Sequence, residues 1–239
     1  MSDTLFHKLY APIKRLAPGF ISRPIRAFIT AFATPVRFSI IKGHFISSFK
    51  EKAVDRKGNP LPWYTYACID FLKFRDFKNM KIMEFGAGQS TIWWASHAAH
   101  VVSFEGNEAW FNYIKNKMPA NVDLYHASED NATACLSDVN RVLAEKKYPK
   151  FDIIIIDGLW RFELIQVAKD YLSSDGAIIC DNSEGYGFYE GFQNNPEFKK
   201  VDFYGYAPGC IMQSCTTIYF KDNCKLFDPG IKTYEIEKF

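Results

Sequence analysis

Four short stretches of the chain carry residue types able to do chemistry. Glu84-Phe85-Gly86-Ala87-Gly88-Gln89-Ser90-Thr91 places two glycines where a backbone can turn sharply and let a ligand come close. Its Ser90 and Thr91 hydroxyls can cap a following helix, whose first turn favours an anionic group. Glu105 stands 21 residues past Glu84, the separation at which an acid in a nucleotide-binding unit accepts hydrogen bonds from ribose hydroxyls. Asp157-Gly158-Leu159-Trp160-Arg161 and Asp181-Asn182-Ser183-Glu184-Gly185 complete the set. Asp157, Asp181 and Asn182 are oxygen donors of the kind Mg2+ or Ca2+ prefers, and such an ion would acidify a substrate hydroxyl. Without an ion, Asp157 would orient a bound cofactor, while Asp181 and Asn182 would cap a turn.

These stretches need elements that bring them to one edge, and the sequence between them supplies such elements. Apolar runs at Lys81–Phe85, His100–Phe104, Val122–His126, Phe151–Ile156 and Ala177–Cys180 read as strands. Helix-like segments at Ser90–Ala98, Ala109–Lys117, Ala134–Lys146 and Phe162–Leu172 alternate with them. Four consecutive isoleucines in Phe151–Ile156 favour a central strand buried on both faces. Lys200–Tyr204 and Thr216–Phe220 have strand composition and could close the sheet as a hairpin. Alternation of this kind predicts a doubly wound α/β sheet, whose ligands sit beyond the carboxyl ends of the strands. A further helix is expected from about Trp63 to Phe74.

On these residues the body, about 60–221, resembles the class I S-adenosylmethionine-dependent methyltransferases. The resemblance rests on Glu84-Phe-Gly-Ala-Gly, Glu105, Phe151-Asp-Ile-Ile-Ile-Ile-Asp157-Gly and Asp175-Gly-Ala-Ile-Ile-Cys-Asp181-Asn182, in correct order and spacing. It implies a Rossmann-like, mostly parallel seven-stranded sheet with an antiparallel last strand. It also implies S-adenosylmethionine as cofactor, with Glu84, Gly86, Gly88, Ser90, Thr91, Glu105 and Asp157 around it and Ser128, Glu129 or Asp130 at its adenine. Pro62-Trp63-Tyr64-Thr65-Tyr66 looks like the segment preceding the first motif in one bacterial branch, which would bring Tyr64 and Thr65 to the cofactor. Trp63, with Trp93 and Trp94, is expected in the core. The trio Asp157, Asp181 and Asn182 is similar to the metal ligands of catechol and caffeoyl-CoA O-methyltransferases, which implies Mg2+. Those enzymes usually carry a lysine base where this chain has Trp160. Arg161 follows it and stays protonated near pH 7, so it suits an anionic acceptor better than proton abstraction. The catalytic candidates are therefore Asp157, Arg161 and Asp181, with Glu184 and His126 as further bases if no metal binds.

The 239 residues are 48% hydrophobic and 17% aromatic, which excludes a disordered or low-complexity chain. The net charge of +2 conceals an asymmetry: residues 1–50 sum to +7, leaving the other 189 at −5. Leu5, Leu9, Ile13 and Leu16, then Ile25, Phe28, Ile29 and Phe32, follow helical spacing. Pro12, Pro18, Pro24 and Pro35 are expected to cut this arm into short helices. The turn-rich run at 55–62 marks the boundary, so the expected division is a basic amphipathic helical arm, 1–55, and a methyltransferase domain, 56–239. A basic amphipathic arm can lie on an anionic membrane, each nearby Lys or Arg adding ~1 kcal/mol. Alternatively it packs on the body or on a second subunit. Gly43–Ser48 could form a lid. No uncharged apolar stretch reaches the ~18–20 residues that span a bilayer.

Cys68, Cys135, Cys180, Cys210, Cys215 and Cys224 show no zinc-ligand spacing, in keeping with a reduced, cytoplasmic setting with the arm at the membrane periphery. The expected reaction is O-methylation of a hydroxyl on a small or glycan-like acceptor, with no nucleic-acid partner. A nicotinamide-dependent oxidoreductase would share Glu105, although the usual glycine spacing is lacking. A non-catalytic, membrane-attached protein on a methyltransferase fold is the third reading.

Overall fold

The computed structural model describes residues 11–12 and 18–228. The arm positions Leu5, Leu9, Ile13 and Leu16 lie outside the described residues. Seven strands form one sheet in the order β3-β2-β1-β4-β5-β7-β6. They are β1 (Lys81–Phe85), β2 (His100–Glu105), β3 (Val122–His126), β4 (Phe151–Ile156), β5 (Leu172–Cys180), β6 (Lys199–Tyr206) and β7 (Gln213–Phe220). The first five run parallel. β7 enters antiparallel beside β5 and pairs with β6 on its other side. This is the expected Rossmann-like sheet with an antiparallel last strand, and the C-terminal hairpin forms its edge.

The isoleucine run explains why β4 is central. Ile154 and Ile156 join one core cluster with Met83, Phe85 and Val102, while Ile153 and Ile155 join the other with Ile82 and Val101. Period-two alternation thus fills both faces of the strand with the same side chain. The first face is covered by α6 (Ala132–Lys146), α7 (Arg161–Tyr171) and α8 (Phe188–Phe192), the second by α3 (Tyr66–Leu72) and α4 (Gln89–Ala95). Trp93 and Trp94 are buried in that second cluster, as expected. Another helix, α5 (Glu108–Ile114), follows β2.

The arm differs from its expectation. Gly19–Ile41 is one continuous helix, α1, with Pro24 and Pro35 inside it. Each proline removes one N–H from the ladder, but its fixed φ near −65° is itself helical, so the chain continues through it. By length and composition alone this helix could cross a membrane, with 23 residues and an 18-residue stretch of mean hydropathy 1.2. Counting only uncharged runs missed it, because Arg23, Arg26 and Arg37 are spread along its length. The left-handed Gly43 then turns the chain into α2 (His44–Lys50).

Candidate functional site

The parallel strands end at one edge, and the hydrogen bonds of the sheet continue past them. The N–H of Gly86 donates to Phe104 O (2.8 Å), that of Asp157 to Phe85 O (2.9 Å), and that of Asp181 to Ile156 O (3.2 Å). The loops after β1, β2, β4 and β5 are thereby held side by side. Together with the β6–β7 turn and Glu51, Lys52 and Ala53, just past α2, they enclose a cleft of about 940 Å³. Its walls include Gly86, Gly88, Ser90, Glu105, Asp157 and Asp181.

Gly86 is held at φ +98°, and a Cβ there would lie 2.9–3.0 Å from the backbone of Asp157 and Gly158. Only glycine lets the first and fourth loops touch. Gly88 is extended, with nothing within 4 Å of where a Cβ would stand, so it faces open cleft. Glu105 spans two loops: Oε2 accepts from Ala87 N–H (2.9 Å) and Oε1 from Asn107 N–H (2.8 Å). Each oxygen keeps a lone pair for a ligand hydroxyl.

Beneath the glycine loop lies a buried polar support. Glu84 Oε2 accepts from Thr91 Oγ1 (2.5 Å) and Ser103 Oγ (3.0 Å), while Thr91 Oγ1 itself accepts from Gly88 N–H (2.9 Å). Burial pushes the Glu84 carboxyl up to about 7, against the pull of the surrounding hydroxyls. Glu84 and Thr91 therefore shape the loop from below, while Ser90 reaches the cleft wall.

Arg161 joins the two acidic loops. Its Nε donates to Gly158 O, Nη1 to Asp181 O (2.5 Å) and Asn182 Oδ1 (3.1 Å), and Nη2 to Asp157 O and Oδ1 (both 3.1 Å). All five N–H groups of the guanidinium are thus spent within the chain, and the Tyr186 ring lies 4.4 Å away. Two expectations change here. Arg161 has no donor left for an anionic acceptor. The trio Asp157, Asp181 and Asn182 does not fit a divalent ion, because a cation already bridges Asp157 and Asn182, and Asp181 Oδ1 accepts from Thr216 Oγ1 (2.8 Å). Nor do the described residues contain a group of three His, Cys, Asp or Glu suited to a metal. Burial raises the proton affinity of both Asp157 and Asp181. Arg161 opposes this at Asp157, and Asp157 adds to it at Asp181.

The segment before β1 reverses its expectation. Tyr64 is fully buried with its OH accepting from Trp94 Nε1 (3.2 Å). Thr65 is equally buried; its Oγ1 donates to Phe203 O and accepts from Cys68 N–H at the start of α3. Neither lines the cleft. Trp63, expected in the core, is 47% exposed on the cleft wall, its Nε1 donating to Pro208 O (2.7 Å). After β3, Glu129 is on the cleft wall and Ser128 lines a small adjoining pocket, a place Asp130 does not share. His126 is engaged by Gly106 O and the Phe111 ring and does not itself line the cleft. Glu184 lines it, with Oε2 accepting from Cys215 N–H (2.8 Å).

Sequence reasoning missed Trp110, whose Nε1 donates to Ala87 O (2.8 Å) beside Glu105; its place at the start of the helix after Glu105 was a usable signal. It also missed Cys210, Met212 and Gln213. No local pattern says that the β6–β7 turn overhangs the cleft. His44 lies outside the chemistry, accepting from Gly209 N–H (3.3 Å) and so tying α2 to that turn.

No protein-family model matches the sequence, and no curated protein matches it significantly. Solved structures are similar in fold. An O-methyltransferase from Bacillus cereus in complex with SAH superposes with a TM-score of 0.51 at 15% identity, covering 83% of this chain and 97% of its own. A precorrin-6y C5,15-methyltransferase from Geobacter metallireducens gives 0.46 at 16%, covering 73% and 96%. The N-methyltransferase NodS from Bradyrhizobium japonicum gives 0.43 at 12%, covering 63% and 91%. The fold is that of the class I S-adenosylmethionine-dependent methyltransferases.

Proposed function

We propose that this chain transfers a methyl group from S-adenosylmethionine to a hydroxyl oxygen of a small or glycan-like acceptor. The reading is carried by one juxtaposition: the Gly86–Gly88 loop, Glu105 and Asp157 share one wall of a single cleft at the carboxyl edge of the sheet. The residues fit the cofactor, since a side chain at Gly86 would close the loop contact, Gly88 faces open cleft, and Glu105 can accept ribose hydroxyls. When bound, S-adenosylmethionine supplies an electrophilic methyl group on a sulfonium.

The chain's own residues then have separate tasks. Glu105 and the glycine loop fix the ligand, and alignment of acceptor oxygen and methyl carbon supplies much of the acceleration in such an in-line displacement. Asp157 is the proposed acceptor of the hydroxyl proton, because it is the more exposed carboxyl of the pair and its raised proton affinity suits a base near neutral pH. Asp181, with Oδ1 held by Thr216, positions the second loop. Arg161 is a positioning residue that locks both loops. The aromatic rings of Trp63 and Tyr186 offer apolar faces to the acceptor.

Calorimetry with S-adenosylhomocysteine tests the reading. Binding is expected, and Glu105→Ala should weaken it at least roughly ten-fold, since a single hydrogen bond to a charged acceptor is worth about 1.5–3 kcal/mol. No binding at millimolar ligand would sink the proposal, and thermal protection by NAD instead would favour an oxidoreductase. The latter needs a third glycine where this chain has the buried, bridging Thr91. Binding with no methyl transfer across a panel of hydroxyl acceptors would leave a non-catalytic protein. Transfer should survive EDTA, since Arg161 occupies the cation's place.

A further inference from the structure

Among the described residues, the body meets α1 at its C-terminal end, while Ser22 near its start is also buried. Phe38 packs edge-on against Tyr66 at 5.4 Å and near Tyr206 at 6.4 Å, and Lys42, just past the helix, pairs with Asp70. Before Arg37 almost the whole helix is exposed. At about 100° per residue, Ile21, Ile25, Phe28, Phe32, Val36 and Ile40 fall within an arc of about 120°, and Phe28 and Phe32 are 66% and 62% exposed. Their rings touch each other, with centroids 4.5 Å apart. Arg23, Arg26 and Arg37 fall within about 60° of one another on a different side, together with Thr30.

We propose that α1 docks in the plane of an anionic phospholipid bilayer, with the Ile21–Phe28–Phe32–Ile40 stripe in the acyl boundary and Arg23 and Arg26 at the headgroups. Three observations select this occupant. The apolar stripe runs the length of a helix about 34 Å long at ~1.5 Å per residue, a long and narrow contact. The charge beside it has a single sign, for no acid occurs between Asp3 and Glu51, which complements anionic lipid. The arginines are gathered along one side of the helix, as an interfacial helix requires; a spanning helix would bury Arg26 or Arg37 in hydrocarbon at a cost. Exposed and stacked, Phe45 and Phe49 of α2 (centroids 6.4 Å apart) extend the apolar surface beyond Gly43.

Flotation of the full chain with phosphatidylcholine vesicles, with and without phosphatidylserine, tests this without reference to catalysis. The chain should float with the anionic vesicles and much less with the neutral ones. Phe28→Glu/Phe32→Glu should lower the bound fraction at least about ten-fold while the thermal midpoint and S-adenosylhomocysteine binding stay unchanged. Arg23→Gln/Arg26→Gln should remove the preference for anionic lipid. Tyr189→Glu/Tyr204→Glu, an equal change on exposed aromatics of the body, should bind as the parent does. Failure to float, or flotation unaltered by Phe28→Glu/Phe32→Glu, would overturn the proposal. So would sedimentation showing, without lipid, a dimer that the same variant dissociates, since a second copy would then own the stripe. Retention in the bilayer after alkaline carbonate washing would replace docking with spanning.

Discussion

At the residue scale, the site is built from polar side chains that mostly hold one another. Glu84 illustrates how far burial moves such a group. Its carboxyl, ordinarily near 4.5, is pushed up to about 7, so the folded chain binds a proton that the unfolded chain has released. Between those two values the folded state carries more protons, and stability must fall as pH rises. The full contribution is present below about 4.5 and is lost by about 7, roughly 3 kcal/mol in all. Urea denaturation across this range should show that decline, and Glu84→Gln should make it shallower, leaving the part due to Asp157 and Asp181; an unchanged slope would place the proton elsewhere. Arg161 makes the complementary point, since its type was legible as a permanent cation but its partners were not. Three of the five acceptors are backbone carbonyls of loops that the fold alone brings together.

At the element scale, legibility followed local pattern. The strands β1, β2 and β4 were readable because consecutive apolar and β-branched residues end abruptly at Gly86, at Glu105-Gly106 and at Asp157, and burial on both faces marks them as central. β3, half-buried at the edge, was legible from its place in the alternation. β5 begins earlier than its apolar run, at Leu172, because Phe151 pairs with Leu172 before the register shifts. The roles of Trp63 and Tyr64 were exchanged because neither spacing nor hydropathy says which of two adjacent aromatics faces the sheet. The arm was misread for a similar reason, as proline is a helix breaker on average yet is tolerated when φ is already helical. The loop after β1 allows a sharp comparison. Gly86→Ala forces an alanine to φ +98° against the Asp157–Gly158 backbone, so it should cost at least about 1–3 kcal/mol in stability. Gly88→Ala meets extended backbone and open space, so stability should hold within about 0.5 kcal/mol while S-adenosylhomocysteine affinity drops. Denaturation and calorimetry on the pair separate the fold's glycine from the ligand's. Equal stability losses would refute the distinction.

At the scale of the whole molecule, the charges are divided between two bodies of opposite sign. Residues 1–50 carry +7 and the remainder −5, so an anionic surface attracts the arm and repels the domain that holds the cleft. The attraction acts through water and is screened over about 10 Å at 0.1 M salt and about 3 Å at 1 M. The apolar stripe of α1 acts by removing surface from water and is not screened in this way. The two contributions must therefore part company in a salt titration. With anionic vesicles the bound fraction should fall steeply as salt rises and then level at the value measured with neutral vesicles. With neutral vesicles it should barely change. Arg23→Gln/Arg26→Gln should shift the anionic curve toward the neutral one, whereas Phe28→Glu/Phe32→Glu should lower the plateau itself. A curve that falls to zero would mean that charge alone holds the arm at the surface and that the stripe stays out of the bilayer. A salt-independent curve would mean that the arginines take no part.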